Sequence, residues 1–196
     1  MVVAGLGRDA YPIRCHSLTD AAITPYVAVI RRRCGRKRRF HVRGRLAKRR
    51  RGAVLVATDE PTGRTVCIKT GQGLSDQVWV EADFYSRLRG CPGIPNIVWD
   101  GIDDREGEDV SAALAIDVVG VPLARFRHRA TRKELLRFAE CLTRTLHALH
   151  QRGVIHRDIK PNNVVVSDGR PYLIDFGCAT TVEDGSDSFA GSSVCL

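Results

Sequence analysis

The stretch Gly153–Val166, GVIHRDIKPNNVVV, sets His156, Arg157, Asp158, Lys160 and Asn163 between two apolar runs. A second short apolar run, YLIDF, carries Asp175 near its end, after the turn-forming sequence SDGR. If the two runs pair as a hairpin, two carboxylates and an amide oxygen meet at one edge. Carboxylate and carbonyl oxygens are the donors that a hard cation such as Mg²⁺ takes. The remaining carboxylate is free to accept a proton from an attacking hydroxyl. The residue types therefore point to cation-assisted chemistry on a hydroxyl nucleophile.

Several elements must position this loop. FHVRGRL, GAVLVATD and TVCIKT alternate in the manner of strands, with DEPTGR supplying a turn, and together predict an antiparallel meander from Phe40. SDQVWVEADFYSRLRG reads as a helix with Ser75 as N-cap, Gly90 as stop, and Val78, Ala82, Tyr85 and Leu88 on one face. GIPNIVWDGI and SAALAIDVV suggest two further strands, and Gly120 and Pro122 mark a hinge. The strongest helix follows: Thr131 and Glu134 form a capping box, Leu135, Phe138, Ala139, Leu142, Leu146 and Leu149 keep helical spacing, and Gly153 closes it. Residues 1–38 show no clear period, and Pro25 breaks any helix through AAITPYVAVI.

The chain of 196 residues is long enough for one domain or two small lobes. No apolar run is long enough to span a membrane, and MVVAGLGRDAYP is a poor export signal. Seven cysteines, odd in number and without a C-x-x-C pair, argue against a disulfide framework and a zinc site and favour reduced, mostly buried thiols. The net charge of +9 comes from one segment, residues 31–51, which holds 13 Lys and Arg and no acid. Without it the chain has 18 basic and 22 acidic residues, a net of −4. RKRR and KRRR within that segment suit a nuclear import receptor or a polyanion. A nuclear address is favoured slightly over a cytoplasmic one. Import ranks slightly ahead of a plain solvated basic surface, and nucleic acid ranks behind both, since Phe40 is the one aromatic residue available there for stacking.

HRDIKPNN followed by Asp175-Phe176-Gly177 resembles the catalytic core of eukaryotic-type protein kinases, over roughly Phe40 to Leu196. Asn163 follows Asp158 at the family spacing, VCIK matches the family's V-A-I-K with Cys67 and Lys69, and Glu81 lies mid-helix where the lysine-pairing glutamate belongs. The resemblance implies an α+β, two-lobed kinase-like fold with an antiparallel-sheet small lobe and a partial helical large lobe. It divides the chain into an N-terminal extension (1–39, partly disordered and basic), a small lobe (40–119) and a partial large lobe (120–196) ending in the activation segment. It also implies ATP and Mg²⁺ as cofactors and a protein substrate. Asp158 would deprotonate the substrate hydroxyl. Lys160, typical of Ser/Thr enzymes, would neutralise the γ-phosphate, and Asn163 and Asp175 would hold the metal. Lys69, paired with Glu81, would contact the α- and β-phosphates. Leu46, Val54, Cys67 and Val165 would line the adenine slot, with Ile116 as gatekeeper and the backbone of Asp117 and Val119 as hinge contacts. Tyr85, His156 and Phe176 would stack as a hydrophobic spine.

Two departures temper that expectation. Counting back from Val54, the family's three phosphate-loop glycines fall on Ala47, Arg49 and Gly52, so one survives. GSSVCL at Gly191–Leu196 resembles the stretch ahead of the family's A-P-E motif, where the sequence ends. That ending reads as a truncation which would leave apolar helix surface exposed. A catalytically impaired, kinase-like binding partner or decoy is accordingly the alternative expectation. Ser186, Ser188, Ser192 and Ser193 could carry a phosphate paired with Arg157, and Cys178 reads as a buried, inert thiol.

Overall fold

A computed structural model describes residues 23–49, 52–72, 76–103 and 110–184. Six strands form the small lobe: β1 (Tyr26–Arg31), β2 (Lys37–Arg49), β3 (Gly52–Asp59), β4 (Thr65–Gln72), β5 (Ile97–Asp103) and β6 (Ser111–Ile116). They close into an antiparallel barrel in the order β1-β2-β3-β4-β6-β5. Alternation of side chains decides which face is which. Ile30, Phe40, Val42, Leu55, Ala57, Val66, Ile68, Ala113 and Ala115 fill the barrel interior. The opposite face of β4 and β6, with Cys67, Ala112, Leu114 and Ile116, packs with helix α1 (Asp76–Arg87) and the large lobe in a second core.

The sheet begins earlier than the sequence suggests. Tyr26–Arg31, placed in a partly disordered extension, is a barrel strand whose residues pair with Lys37–Val42 of β2. It closes the barrel through Ile30↔Asp103 and Arg31↔Ile102. Residues 23–25 are not helical, and Pro25 immediately precedes the strand. The basic run is therefore largely folded: residues 31–49 run through β1, a turn at Arg32–Gly35 and β2, while Arg50 and Arg51 lie outside the described residues.

Helix α1 buries Val78, Glu81, Ala82, Phe84 and Tyr85, and Leu88 beyond its end is buried as well. Gly90 terminates it at φ +74°, whereas Ser75 lies outside the described residues. After β6 the chain crosses the hinge into β7 (Val121–Pro122) and a single turn, α2 (Leu123–Phe126). Gly120 is needed there because a Cβ would come within 2.6 Å of the Val166 carbonyl oxygen. The long helix α3 (Arg132–His150) starts with the expected capping box of Thr131 and Glu134. Phe138, Thr145 and Leu149 are its buried residues, Leu142 and Leu146 are half-buried, and Leu135 and Leu136 are exposed. Short pairs complete the large lobe: β8 (Val154–Ile155) with β11 (Thr180–Thr181), and β9 (Val164–Ser167) with β10 (Arg170–Leu173). The β9–β10 hairpin turns through Asp168 and Gly169, both at positive φ. Among the described residues no helix is long and apolar enough to cross a membrane. Of the described cysteines only Cys91 is buried; Cys178, expected inside, is exposed.

Candidate active site

The β9–β10 hairpin brings the two halves of the loop chemistry together as its spacing predicts. Asn163 closes a 3-10 turn (Pro161–Asn163) just before β9, and Asp175 follows β10. The Ile174 N–H donates to the Asn163 carbonyl at 2.8 Å, which pins one segment on the other. Asn163 Nδ2 donates to the Asp158 carbonyl oxygen and to Asp158 Oδ2, both at 2.8 Å. Lys160 Nζ spans the same carboxylate at 3.0 Å and 2.8 Å. The Asp158 carboxylate is thereby held by two side chains from its own loop.

His156 fixes the backbone beneath it. The Asp158 N–H donates to Nδ1 at 3.2 Å, so Nε2 carries the proton and donates to the Ile174 carbonyl at 3.1 Å. Burial holds this imidazole below its ordinary value of 6.5. A base whose folded pKa is lowered supports the fold above its unfolded value and loses that support as pH falls through 6.5 and below. Asp59, a carboxylate lowered from 3.8, loses its support only as pH falls through 3.8 and below, outside this window. The denaturation midpoint is therefore expected to drop between pH 7.5 and 5.5; a midpoint constant over that range would contradict the neutral, buried His156.

Lys69 on β4 makes an ion pair with Glu81 of α1 and a second with Asp175 Oδ1 at 2.7 Å. Glu81 and Tyr85 are one helical turn apart, so α1 presents both to the site. The Phe176 ring lies 5.1 Å from Tyr85 and 4.8 Å from His156, each edge-on. The Tyr85 hydroxyl also accepts the Asp175 N–H at 3.4 Å, and burial pushes its phenol pKa well up, which keeps it neutral. The expected three-residue spine is thus assembled, with the Phe176 side chain packed inward and Asp175 facing Lys69. Arg157 (φ 63°) and Asp175 (φ 70°) both adopt left-handed backbone, a strained conformation that clusters at functional sites. Arg157 Nε donates to the Cys178 carbonyl at 2.7 Å. The serines proposed as its phosphorylated partners lie outside the described residues, as does Gly191–Leu196.

Strand register places the residues expected to line the slot. Val54 pairs with Lys69, and Cys67 with Ile116, on the face away from the barrel interior. Leu46 sits at a register shift in β2, between the pairs Arg45↔Leu55 and Ala47↔Val54. Val165 pairs with Pro122 just past the hinge, and the Val119 carbonyl accepts the Ser167 hydroxyl at 2.8 Å. Gly52 has φ +139°, and a Cβ there would come 2.0 Å from the Thr70 carbonyl oxygen. The surviving loop glycine is therefore required by the barrel itself.

Two contributors escape a motif-based reading. Asn96 donates its N–H and Nδ2 to the Asp117 carboxylate at 2.8 Å and 3.0 Å, and its carbonyl accepts the Asp117 N–H. Asp117, expected through its backbone, also braces the hinge with its side chain. Gly93 accepts the Leu173 N–H at 2.8 Å and sits against Thr145, where a Cβ would approach Oγ1 to 2.1 Å. The loop between α1 and β5 is so bolted to the large lobe. An isolated N or G in PGIPN gives no periodic signal for either contact.

A family model for the protein kinase domain matches residues 50–195, and the chain belongs to that family. Its fold is also that of the kinase domain in the crystal structure of PF14_0431, with a TM-score of 0.64 at 17% identity. The match covers 75% of this chain and 53% of that one, so the chain spans about half of that structure's length. The α+β, two-lobed architecture expected from the motifs is the architecture found.

Asn163 and Asp175 fit a magnesium ion. They offer an amide oxygen and a carboxylate, which are hard donors, and Mg²⁺ characteristically takes one or two such groups plus substrate phosphates. Among the described residues no cluster of three acid, His or Cys side chains offers a competing metal site.

Proposed function

We propose that the chain is the ATP- and Mg²⁺-dependent catalytic part of a protein serine/threonine kinase. The observation that carries this is the joined network Glu81–Lys69–Asp175 beside Lys160–Asp158–Asn163, with Phe176 packed inward. Asp158 accepts the proton of the substrate hydroxyl as its oxygen attacks the γ-phosphorus, the bond to the β,γ-bridging oxygen breaks, and ADP leaves. Lys160, already on the Asp158 carboxylate, offers its charge to the transferring phosphoryl group. Lys69 holds the α- and β-phosphates, with Glu81 fixing its ammonium. Asn163 and Asp175 would hold the magnesium ion, which supplies charge neutralisation between the phosphates. Lys160 is the residue that favours a serine or threonine acceptor over tyrosine.

A second reading, a kinase-like binding protein with little turnover, is favoured by Ala47 and Arg49 in place of loop glycines. The two separate in a thermal-shift titration. At a hundredfold excess over Kd, Mg-ATP is expected to stabilise the fold by about 2.7 kcal/mol, with the shift lost on chelating the metal. A metal-dependent shift with phosphate appearing on a serine peptide supports the enzyme. No shift and no transfer leaves the binding protein.

A further inference from the structure

The catalytic reading leaves the cations of residues 31–43 unused, and the fold gives them a definite form. Alternate residues Phe40 and Val42 of β2 point into the barrel, so Lys37, Arg39, His41 and Arg43 point out, and all four are exposed. Spaced at alternate positions they stand about 7 Å apart. On the neighbouring strand, Val27 pairs with His41, Val29 with Arg39 and Arg31 with Lys37, which adds two half-buried valines and a third arginine to the same face. Glu60 accepts from Arg39 Nε and from His41 Nε2, both at 2.9 Å, and aligns the two without cancelling the surplus of cations. Other arginines of the run are taken up elsewhere: Arg38 by Asp59, and Arg32 by Asp100 and the Trp99 ring.

We propose that this outer face of β1 and β2 docks an acidic segment of a protein partner. Charge complementarity selects the sign of the occupant, since 13 of the chain's cations fall in this one segment of an otherwise net-acidic protein. The valines between the cations select protein over nucleic acid. Phe40, the one aromatic residue of the run, is wholly buried in the barrel and offers no ring for base stacking. Closure of the barrel removes the sheet edge here, so recognition is by side chains and not by strand addition. Because β2 continues to Leu46 in the nucleotide slot, the bound segment lies beside the cleft; that it belongs to a substrate rests on the kinase reading, and the docking itself does not.

The test is fluorescence anisotropy of a labelled peptide alternating glutamate and valine, without nucleotide, so that a failed kinase assay leaves the result intact. Binding is expected at low ionic strength and weaker binding at 0.15 M salt, where the Debye length is about 8 Å. Lys37→Glu with Arg43→Glu is expected to weaken it about tenfold, while Arg89→Glu, at an exposed turn residue outside β1 and β2, leaves it unchanged. If the double reversal loses its thermal transition, Lys37→Gln with Arg43→Gln replaces it, with about a threefold loss expected. Absence of binding, or binding indifferent to these substitutions, overturns the proposal. So does displacement of the peptide by a single-stranded oligonucleotide at equal or lower concentration, which would assign the face to nucleic acid.

Discussion

Asp158→Asn is expected to lower phosphoryl transfer about a thousandfold, within the range that a positioned general base contributes. That loss corresponds to about 4 kcal/mol of transition-state stabilisation. The side chain keeps its shape, so Asn163 Nδ2 and Lys160 retain an oxygen to bond, and the loop stays pinned through His156 and Ile174. What is removed is the charge that accepts the proton and holds the Lys160 ammonium in place. In the proposed function nucleotide binding runs through Lys69 and the slot residues and should change little. Single-turnover transfer to a serine peptide, measured beside the Mg-ATP thermal shift, separates the two. A variant that binds ATP normally and is a thousandfold slower fits the assignment; turnover near that of the unmodified chain would remove Asp158 from the chemistry.

Arg38→Ala is expected to cost about 3 kcal/mol of stability and roughly 10 °C in melting temperature. Arg38 Nε and Nη2 bond the two Asp59 oxygens at 2.7 Å each, and the Thr62 hydroxyl also donates to that carboxylate. The Asp59 side chain is fully buried. Deleting the guanidinium leaves a carboxylate in the barrel wall with its main partner gone, which costs more than the ion pair itself contributes. The Arg38 hydrogen bonds are also the first cause of the lowered Asp59 pKa. A carboxylate with a lowered folded pKa supports the fold above its unfolded value and loses that support as pH falls through 3.8 and below. The variant should therefore melt earlier at neutral pH and show a smaller further loss on acidification. Replacing both residues, Arg38→Met with Asp59→Leu, is expected to recover much of the difference, since no charge is then stranded. An Arg38→Ala melt unchanged from the parent would show that Asp59 is hydrated in solution.

The catalytic loop was legible because its chemistry is local. Asp158, Lys160 and Asn163 lie within one loop, and a hairpin turn with Asp168 and Gly169 can fold back in only a few ways, so Asp175 had to arrive beside them. Lys69 and Glu81 needed the family motif, because strand register and helix phase, and not nearness in sequence, bring them together. The first strand was hidden by composition. Tyr26–Arg31 carries an arginine at its end and is followed by six more Lys and Arg before Phe40, a pattern that reads as a solvated tail. Long-range pairing with β5, together with the Trp99 Nε1–H bond to the Ile30 carbonyl at 3.0 Å, holds it in place, and no local propensity reports such contacts. The hinge brace by Asn96 and the contact of Gly93 with Thr145 were hidden for the same reason: each depends on a residue far away in the chain.

The two separate cores bear on how the lobes can move. The interior of the barrel is sealed from the rest of the molecule, while Phe176, Tyr85, Ile116 and Leu173 share a cluster that crosses from one lobe to the other. Any opening of the cleft between the lobes parts the apolar surface of the crossing cluster and the Lys69–Asp175 ion pair, and none of the barrel interior. The barrel can then turn as a rigid lever on the Asn96–Asp117 and Gly93–Leu173 bonds, losing none of its own packing, so the work of opening falls on the spine residues that also set the direction of Asp175.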